Sequence, residues 1–179
     1  MIIKKSAKLG VLLLVTLFVT LLFRIGLGEA QIKDAPPDVA AAIIVKVAGF
    51  EKKISDSEKG ITIYVLGNPE VAAELEKGVG QPIGKSTLKS VEKGNSLPGS
   101  PPDILFTTDK SKVNAVLDYA RANKVMSVTS IPDLVDKGIA LGVGIGDDDK
   151  PKILLNLTGS GDEGLNWNPA VIKIAKTVK

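Results

Sequence analysis

The sequence predicts an α/β fold, specifically a three-layer α/β/α sandwich with a mainly parallel central sheet and a C-terminal antiparallel hairpin. Short apolar segments rich in β-branched residues, such as 61–67 and 103–107, alternate with segments whose apolar residues recur at helical spacing. This alternation is typical of a parallel sheet with helices on both faces. Near the end, the apolar segments 139–146 and 151–157 are joined by only four residues, which predicts an antiparallel hairpin.

The first thirty residues have the composition of a secretory signal. Three lysines precede an apolar stretch over residues 9–23, and Gly28 and Ala30 provide the small residues that a signal peptidase recognises. The apolar stretch is shorter than the roughly 20 residues of a membrane-spanning helix, and Arg24 ends it. We therefore predict a signal peptide over residues 1–30 and a single domain over residues 31–179. An uncleaved membrane anchor is the alternative.

Charge and composition exclude several classes of function. The signal segment carries four of the 23 basic residues and one of the 20 acidic residues, so the remaining chain holds 19 of each. This balance gives no indication of nucleic-acid binding. The sequence contains no histidine and no cysteine, which excludes histidine or thiol catalysis, zinc clusters and disulfides. We expect neither an enzyme nor a bound metal or cofactor.

A first helix is predicted over residues 38–53, where one apolar stripe would face the sheet. Its members are Val39, Ile43, Val47, Phe50 and Ile54. Alanines at 40, 41 and 48, together with Ile44, add a second apolar flank. The central strand, 61–67, ends at Gly67, which favours a tight turn; Asn68 is then a good N-cap, and Pro69 suits the first position of a helix.

The same order of elements returns downstream. We predict an edge strand over residues 86–91 and a buried strand over 103–107, followed by a helix capped by Thr108 or Asp109. A strand over 125–129 and a short helix over 130–137 come next. In the hairpin, small residues at 140, 142, 144 and 146 would let a helix or a partner approach the sheet closely. Residues 159–164 read as a loop, and Asn168 caps a final helix whose stripe continues to Val178.

The loop over residues 159–168 is the one candidate binding segment. It contains the only tryptophan of the sequence, Trp167, with Glu163 and Asn166 close by. Loops at strand ends are where α/β sheets bind ligands. The structural alternative is that Trp167 covers the last helix as a hydrophobic staple.

Several of these segments, taken in order, carry a resemblance. They are the export signal, the alanine-rich helix 40–50, Ile-Tyr-Val-Leu-Gly ending at Gly67, Asp103-Ile-Leu-Phe-Thr107, the glycine-bearing hairpin, Lys152-Ile-Leu-Leu-Asn156 and the closing Ala-Val-Ile-Lys-Ile-Ala175. In this order the chain resembles the YfiR-like family of bacterial periplasmic proteins, over nearly all of residues 31–179. Asn156 matches the family's asparagine, and Phe50 matches its aromatic residue near the end of the first helix. The disulfides that some members carry are absent, and the closing motif differs.

The resemblance implies a periplasmic α/β domain without enzymatic activity that binds and restrains an inner-membrane diguanylate cyclase. An OmpA-like outer-membrane lipoprotein would relieve this restraint, and the output would be cyclic-di-GMP signalling and biofilm control. The candidate binding residues are then Phe50, Asn156, Glu163, Asn166 and Trp167. A homodimer is compatible with the sequence. The alternative function is a periplasmic small-ligand-binding or sensor domain that uses the loop 159–168.

Overall fold

The computed structural model describes residues 31–178. Within these residues the fold is built on one mixed sheet of nine strands. The predicted signal peptide, residues 1–30, lies outside the described residues. Residues 32–178 belong to one compact unit. None of the helices in residues 31–178 is long and apolar enough to cross a membrane.

Five parallel strands form the centre of the sheet. In spatial order they are β4 (Ser86–Gly94), β2 (Ile61–Leu66), β5 (Ile104–Thr107), β6 (Met126–Thr129) and β7 (Leu141–Ile145). The short β3 (Pro82–Ile83) is antiparallel to β4, and β1 (Lys33–Asp34) is antiparallel to β7. On the other side of β7 lie β8 (Pro151–Asn156), which is antiparallel to it, and β9 (Lys176–Val178), which is parallel to β8.

Seven helices connect and cover these strands. In chain order they are α1 (Pro37–Ala48), α2 (Lys52–Ser55), α3 (Pro69–Glu76), α4 (Val113–Asn123), α5 (Pro132–Asp136), α6 (Leu157–Asp162) and α7 (Pro169–Ile174), counted within the described residues. As predicted, α3 begins with Pro69, and the Asn68 side chain accepts a hydrogen bond from the Val71 N–H at 3.0 Å. The predicted cap of α4 is wrong, because Asp109 instead accepts the N–H of Ser111 within the preceding turn.

Alternate residues of β2 belong to two separate hydrophobic clusters. Ile61, Ile63 and Val65 pack in a cluster that also contains residues of α1 and α3. Tyr64 and Leu66 pack in a second cluster with residues of α4 and α5. Because successive side chains of a strand point to opposite faces, β2 is buried from both sides. The α/β fold with a mainly parallel sheet and the C-terminal hairpin are therefore confirmed.

The glycines of the hairpin allow close packing, as the sequence suggested. A Cβ at Gly142 would collide with the side chain of Val135 in α5, and one at Gly144 would collide with Ile32. The bare face of β7 is thus covered by the protein's own α5 and N-terminal segment.

The first helix differs from the prediction in both its length and its buried face. It ends at Ala48, and a separate turn of helix, α2, follows. Its buried residues are those of the second apolar flank together with Val47, whereas Val39 and Ile43 are only half-buried. Phe50 lies outside both helices, and 42% of its surface is exposed. Two adjacent apolar stripes cannot be ranked by periodicity alone, and the alanine-rich stripe permits the closer approach to the sheet.

The C-terminal region was also partly mispredicted. Residues 157–162 form α6, although the glycine-rich segment was predicted to be a loop. Gly159 fits there because a Cβ would collide with the carbonyl oxygen of Gly138. The final helix ends at Ile174, and the chain then extends into β9 beside β8, so Val178 is not on a helical stripe.

Candidate binding face

A two-stranded ribbon joins the end of the first helical region to the segment before the last helix. Lys52 N–H donates to the carbonyl of Asn166 at 3.0 Å, and Asn168 N–H donates to the carbonyl of Phe50 at 2.8 Å. These bonds place Glu51 directly opposite Trp167 in an antiparallel bridge. Directly opposed residues point to the same side, and their neighbours point to the other. The ribbon therefore has an inner and an outer side.

Glu51 is one of the two anchors on the inner side, and its side chain is fully buried. One carboxylate oxygen accepts the Ile54 N–H at 2.8 Å, which caps α2, and the other accepts the Asn166 N–H at 2.8 Å. A buried carboxylate is costly unless it is hydrogen-bonded, and here both oxygens have backbone donors. Glu51 thus fixes the distance between the two strands of the ribbon.

Trp167 is the other inner anchor, and only 7% of its surface is exposed. Its indole N–H donates to the Ser160 hydroxyl at 2.9 Å, and the side chain belongs to the same hydrophobic cluster as Val171 of α7. This position agrees with the structural alternative, in which Trp167 covers the last helix. The small exposed part of Trp167 also lines the groove described next, so its neighbours along the ribbon offer most of the surface for a partner.

The outer side presents the four exposed residues of the ribbon: Phe50, Lys52, Asn166 and Asn168. They border an open groove of about 420 Å³ that Pro169 and the Lys85–Asp56 ion pair also line. The Nζ of Lys85 lies 3.0 Å from the Asp56 carboxylate, so these two charges compensate each other. An exposed aromatic ring, a lysine and a free amide at the edge of a groove can hold a ligand or a protein segment.

Asn156 and Glu163, the other two predicted binding residues, lie in the interior. The side chain of Asn156 caps α6 by accepting the Gly159 N–H at 2.7 Å, and it donates to the Val135 carbonyl at 2.8 Å. Both polar ends of this amide are therefore engaged by the protein itself. Asn156 fixes where β8 ends and α6 begins.

Glu163 is a buried carboxyl group that contacts β6. Its oxygens accept the Ser127 N–H at 2.9 Å and the Ser127 hydroxyl at 2.5 Å, and that hydroxyl in turn accepts the Ala140 N–H at 2.9 Å. Burial raises the pKa of Glu163 to about 7, against the opposing effect of the Ser127 hydrogen bonds and the Arg121 charge. This group ties the chain after α6 to the sheet.

The predicted binding segment lies at the end of the sheet where the parallel strands β6 and β7 begin. The Asp162 carbonyl accepts a hydrogen bond from Lys124 at 2.7 Å, and Lys124 precedes β6. Because β8 is antiparallel to β7, the segment after β8 returns to the amino ends of β6 and β7. The rule that places ligands at the carboxyl ends of parallel strands therefore does not apply to it.

The structure thus brings Phe50, Asn166 and Trp167 together at the groove, whereas Asn156 and Glu163 are buried and do not line it. The sequence did not single out Lys52 or Pro169 for binding, because nothing local indicates that residues 50–52 pair with 166–168. Among the described residues, no group of acidic side chains could hold a metal ion.

Comparison with known proteins adds a family and a fold. A family model described as YfiR/HmsC-like matches residues 37–176. No curated protein matches the chain. A conserved domain protein from Vibrio cholerae has a similar structure, with a TM-score of 0.54 and 15% identity over 81% of this chain. An ABC domain from Streptococcus pneumoniae, in complex with L-Trp, has a TM-score of 0.51 and 16% identity over 80% of this chain. The chain spans 60% of the length of each, and these similarities show the fold alone.

Proposed function

Because the chain belongs to the YfiR/HmsC-like family, we propose that it is a periplasmic, non-enzymatic regulator that binds and restrains an inner-membrane signalling protein. The family match confirms the resemblance drawn from the sequence, and it is the observation that carries this proposal. By that resemblance the restrained protein is a diguanylate cyclase, and an OmpA-like lipoprotein relieves the restraint. The consequence would be control of cyclic-di-GMP and biofilm formation.

The outer side of the ribbon supports a role in protein binding. An aromatic side chain surrounded by polar groups is the composition of an interface hot spot, and Phe50 has this setting beside Lys52 and Asn166. The ribbon is held from within by Glu51 and Trp167, so the face is preorganised and loses little conformational entropy on binding. We therefore assign the partner contact to Phe50, Lys52 and Asn166.

Periplasmic location is part of the proposal and has its own test. The basic residues, short apolar stretch and small residues at 28 and 30 support cleavage after Ala30. N-terminal sequencing of the protein recovered from its native cells should give Gln31 as the first residue, in the periplasmic fraction. Recovery of intact Met1 in the membrane fraction would instead support the uncleaved anchor.

The regulatory role is tested by measuring cyclic-di-GMP in the native bacterium. Deletion of the gene should raise its level, and the wild-type gene should restore it. Phe50→Ala should restore it poorly, because the aromatic contact is lost while the buried anchors remain. Val79→Ala is the matched control, since Val79 is an exposed apolar residue, 46% accessible, outside this groove. An unchanged cyclic-di-GMP level after deletion would contradict the proposal.

A second candidate function is a small-ligand sensor, which the size of the groove favours. Ligand pockets typically enclose about 300–1,000 Å³, and this groove measures about 420 Å³. A metabolite that binds only the folded protein would raise its melting temperature in a thermal-shift screen. That shift should disappear in Asn166→Ala, which removes the free amide from the edge of the groove. A screen without hits, together with partner binding, would leave the regulator as the better description.

A further inference from the structure

The groove beside the ribbon has a charge and polarity that select among partner segments. Phe50 has 42% of its surface exposed and is one of three exposed large apolar residues within residues 31–178. The others, Val79 and Ile174, do not line this groove. Pro169 provides a second apolar surface within it. Covering this apolar area is favourable for any partner that offers a matching side chain.

The groove also carries one uncompensated positive charge. The ammonium group of Lys52 makes no ion pair or hydrogen bond with the described residues. Its neighbour in sequence, Glu51, does not neutralise it, because both Glu51 oxygens are directed inward to backbone donors. The other two charged residues of the groove, Lys85 and Asp56, form an ion pair with each other. The free charge at the groove is therefore the cation of Lys52.

Asn166 adds a hydrogen-bonding group next to that charge. Its backbone is engaged on both sides, by the Glu51 carboxylate and by the Lys52 N–H, whereas its side-chain amide has no partner in the described part of the chain. An amide and an ammonium group together can hold one carboxylate, since both donate hydrogen bonds to its oxygens. The apolar surface and the carboxylate site lie on the same ribbon face.

We propose that this groove binds a short acidic segment of the partner protein, in which a carboxylate side chain is adjacent to an aromatic or large aliphatic one. The carboxylate pairs with Lys52 and the Asn166 amide, and the apolar side chain covers Phe50 and Pro169. A basic segment is disfavoured, because its charge would face Lys52 without compensation. This inference rests on the proposed function, in which the chain acts by binding another protein, and it specifies the chemistry of that contact.

The test is a selection from a random linear peptide library displayed on phage, with the full protein as bait. Wild-type bait should enrich peptides with an acidic residue beside an aromatic or large aliphatic one. Lys52→Glu bait should lose these peptides and enrich basic ones, because only the sign of one charge has changed. Lys59→Glu is the control, since it reverses an exposed lysine outside this groove and should select the same peptides as the wild type.

Synthetic versions of the enriched peptides then give the magnitude. Lys52→Glu and Phe50→Ala should each weaken binding of an acidic peptide by about fivefold or more, the loss expected when a contributing interface contact is removed. Unchanged melting temperatures of both variants would show that the fold is intact. The inference is overturned if both baits enrich the same peptides, or if wild-type bait enriches none with an acid.

An alternative occupant is an anionic membrane surface, which the same cation would attract. Vesicles containing phosphatidylglycerol test it directly. If the protein binds them in a manner that requires Lys52 while no acidic peptide is enriched, the proposed segment is wrong. The proposed function fails separately, if deletion of the gene leaves cyclic-di-GMP unchanged, whatever peptides the groove selects.

Discussion

Glu163→Gln should flatten the pH dependence of the domain's stability between about pH 5 and pH 8. The Glu163 carboxyl group is fully buried, and burial raises its pKa from 4.5 to about 7. The folded protein therefore holds this proton more tightly than the unfolded chain does. The contribution of Glu163 to stability is fully present below pH 4.5 and is lost as the pH rises through 7, where the folded protein must bury a carboxylate. Each unit of pKa difference corresponds to about 1.4 kcal/mol, so the loss is about 3 kcal/mol.

Glutamine at this position resembles the protonated acid. Its amide oxygen can accept the Ser127 N–H, its amide N–H can donate to the Ser127 hydroxyl, and it has no charge to bury. We therefore expect the wild type to lose about 3 kcal/mol across this pH range and Glu163→Gln to lose much less. Ser127→Ala should make Glu163 harder to ionise, because it removes the hydrogen bond from the Ser127 hydroxyl, which opposes the rise of the Glu163 pKa.

Urea unfolding at a series of pH values provides the measurement. Trp167 is the only tryptophan of the sequence and is buried, so its fluorescence reports the unfolding of the C-terminal region directly. Glu92→Gln removes the same charge from an exposed position on β4 and controls for the change in net charge. Equal losses of stability in the wild type and Glu163→Gln, or a wild type that becomes more stable as the pH rises, would show that Glu163 does not cause the pH dependence.

Three further substitutions test other parts of the structure. Trp167→Ala should destabilise the domain by about 3–5 kcal/mol, as is usual for a buried tryptophan; in thermal denaturation, an unchanged melting temperature with lost partner binding would instead make Trp167 a contact residue. Asn156→Ala should cost about 2–4 kcal/mol in urea unfolding, because it removes the cap of α6 and leaves the buried Val135 carbonyl without its donor. Val65→Asp should cost several kcal/mol or prevent folding, since the carboxylate would lie unpaired beneath α1 and α3; soluble, cooperatively folding protein close to wild-type stability would contradict the buried position of β2.

The parts of the fold that local chemistry determines were predictable. The strand 61–66, the turn at Gly67 and the cap and first residue of α3 each depend on residues within a few positions of one another. The hairpin was predictable for the same reason, because four residues between two apolar segments leave only one way for them to pair. Sequence reasoning succeeds where the determining interactions are short-range.

The errors occurred where distant residues decide the structure. The glycines at 159 and 161 favoured a loop, yet the Asn156 side chain caps a helix there. Gly159 is needed in that helix because the Gly138 carbonyl leaves no room for a side chain. The final helix was predicted to reach Val178 because its apolar spacing continues. In the structure, residues 176–178 instead pair with β8 and form a strand. In each case a tertiary contact outweighed the local pattern.

The candidate site was predictable as a set of residues but not as a surface. Asn166 and Trp167 were identified from the composition of their segment and Phe50 from the family resemblance, and the structure places all three on one ribbon. Which of them face outward depends on the register of that ribbon, and a shift by one residue would expose Trp167 and bury Phe50. The register is set by Glu51, whose role no local sequence pattern indicates.

The hydrogen bond between Glu51 and Asn166 also determines when the binding face can exist. The two residues are 115 positions apart, so nearly the whole domain must be synthesised before they can meet. Contacts of such sequence separation form late, because a long loop must be closed before they contribute any stability. A nascent chain, or one shortened by proteolysis before Asn166, can hold part of the sheet yet lacks half of the groove. We therefore expect the binding face to form only when folding is complete, so that an intact segment up to Asn168 is required for it.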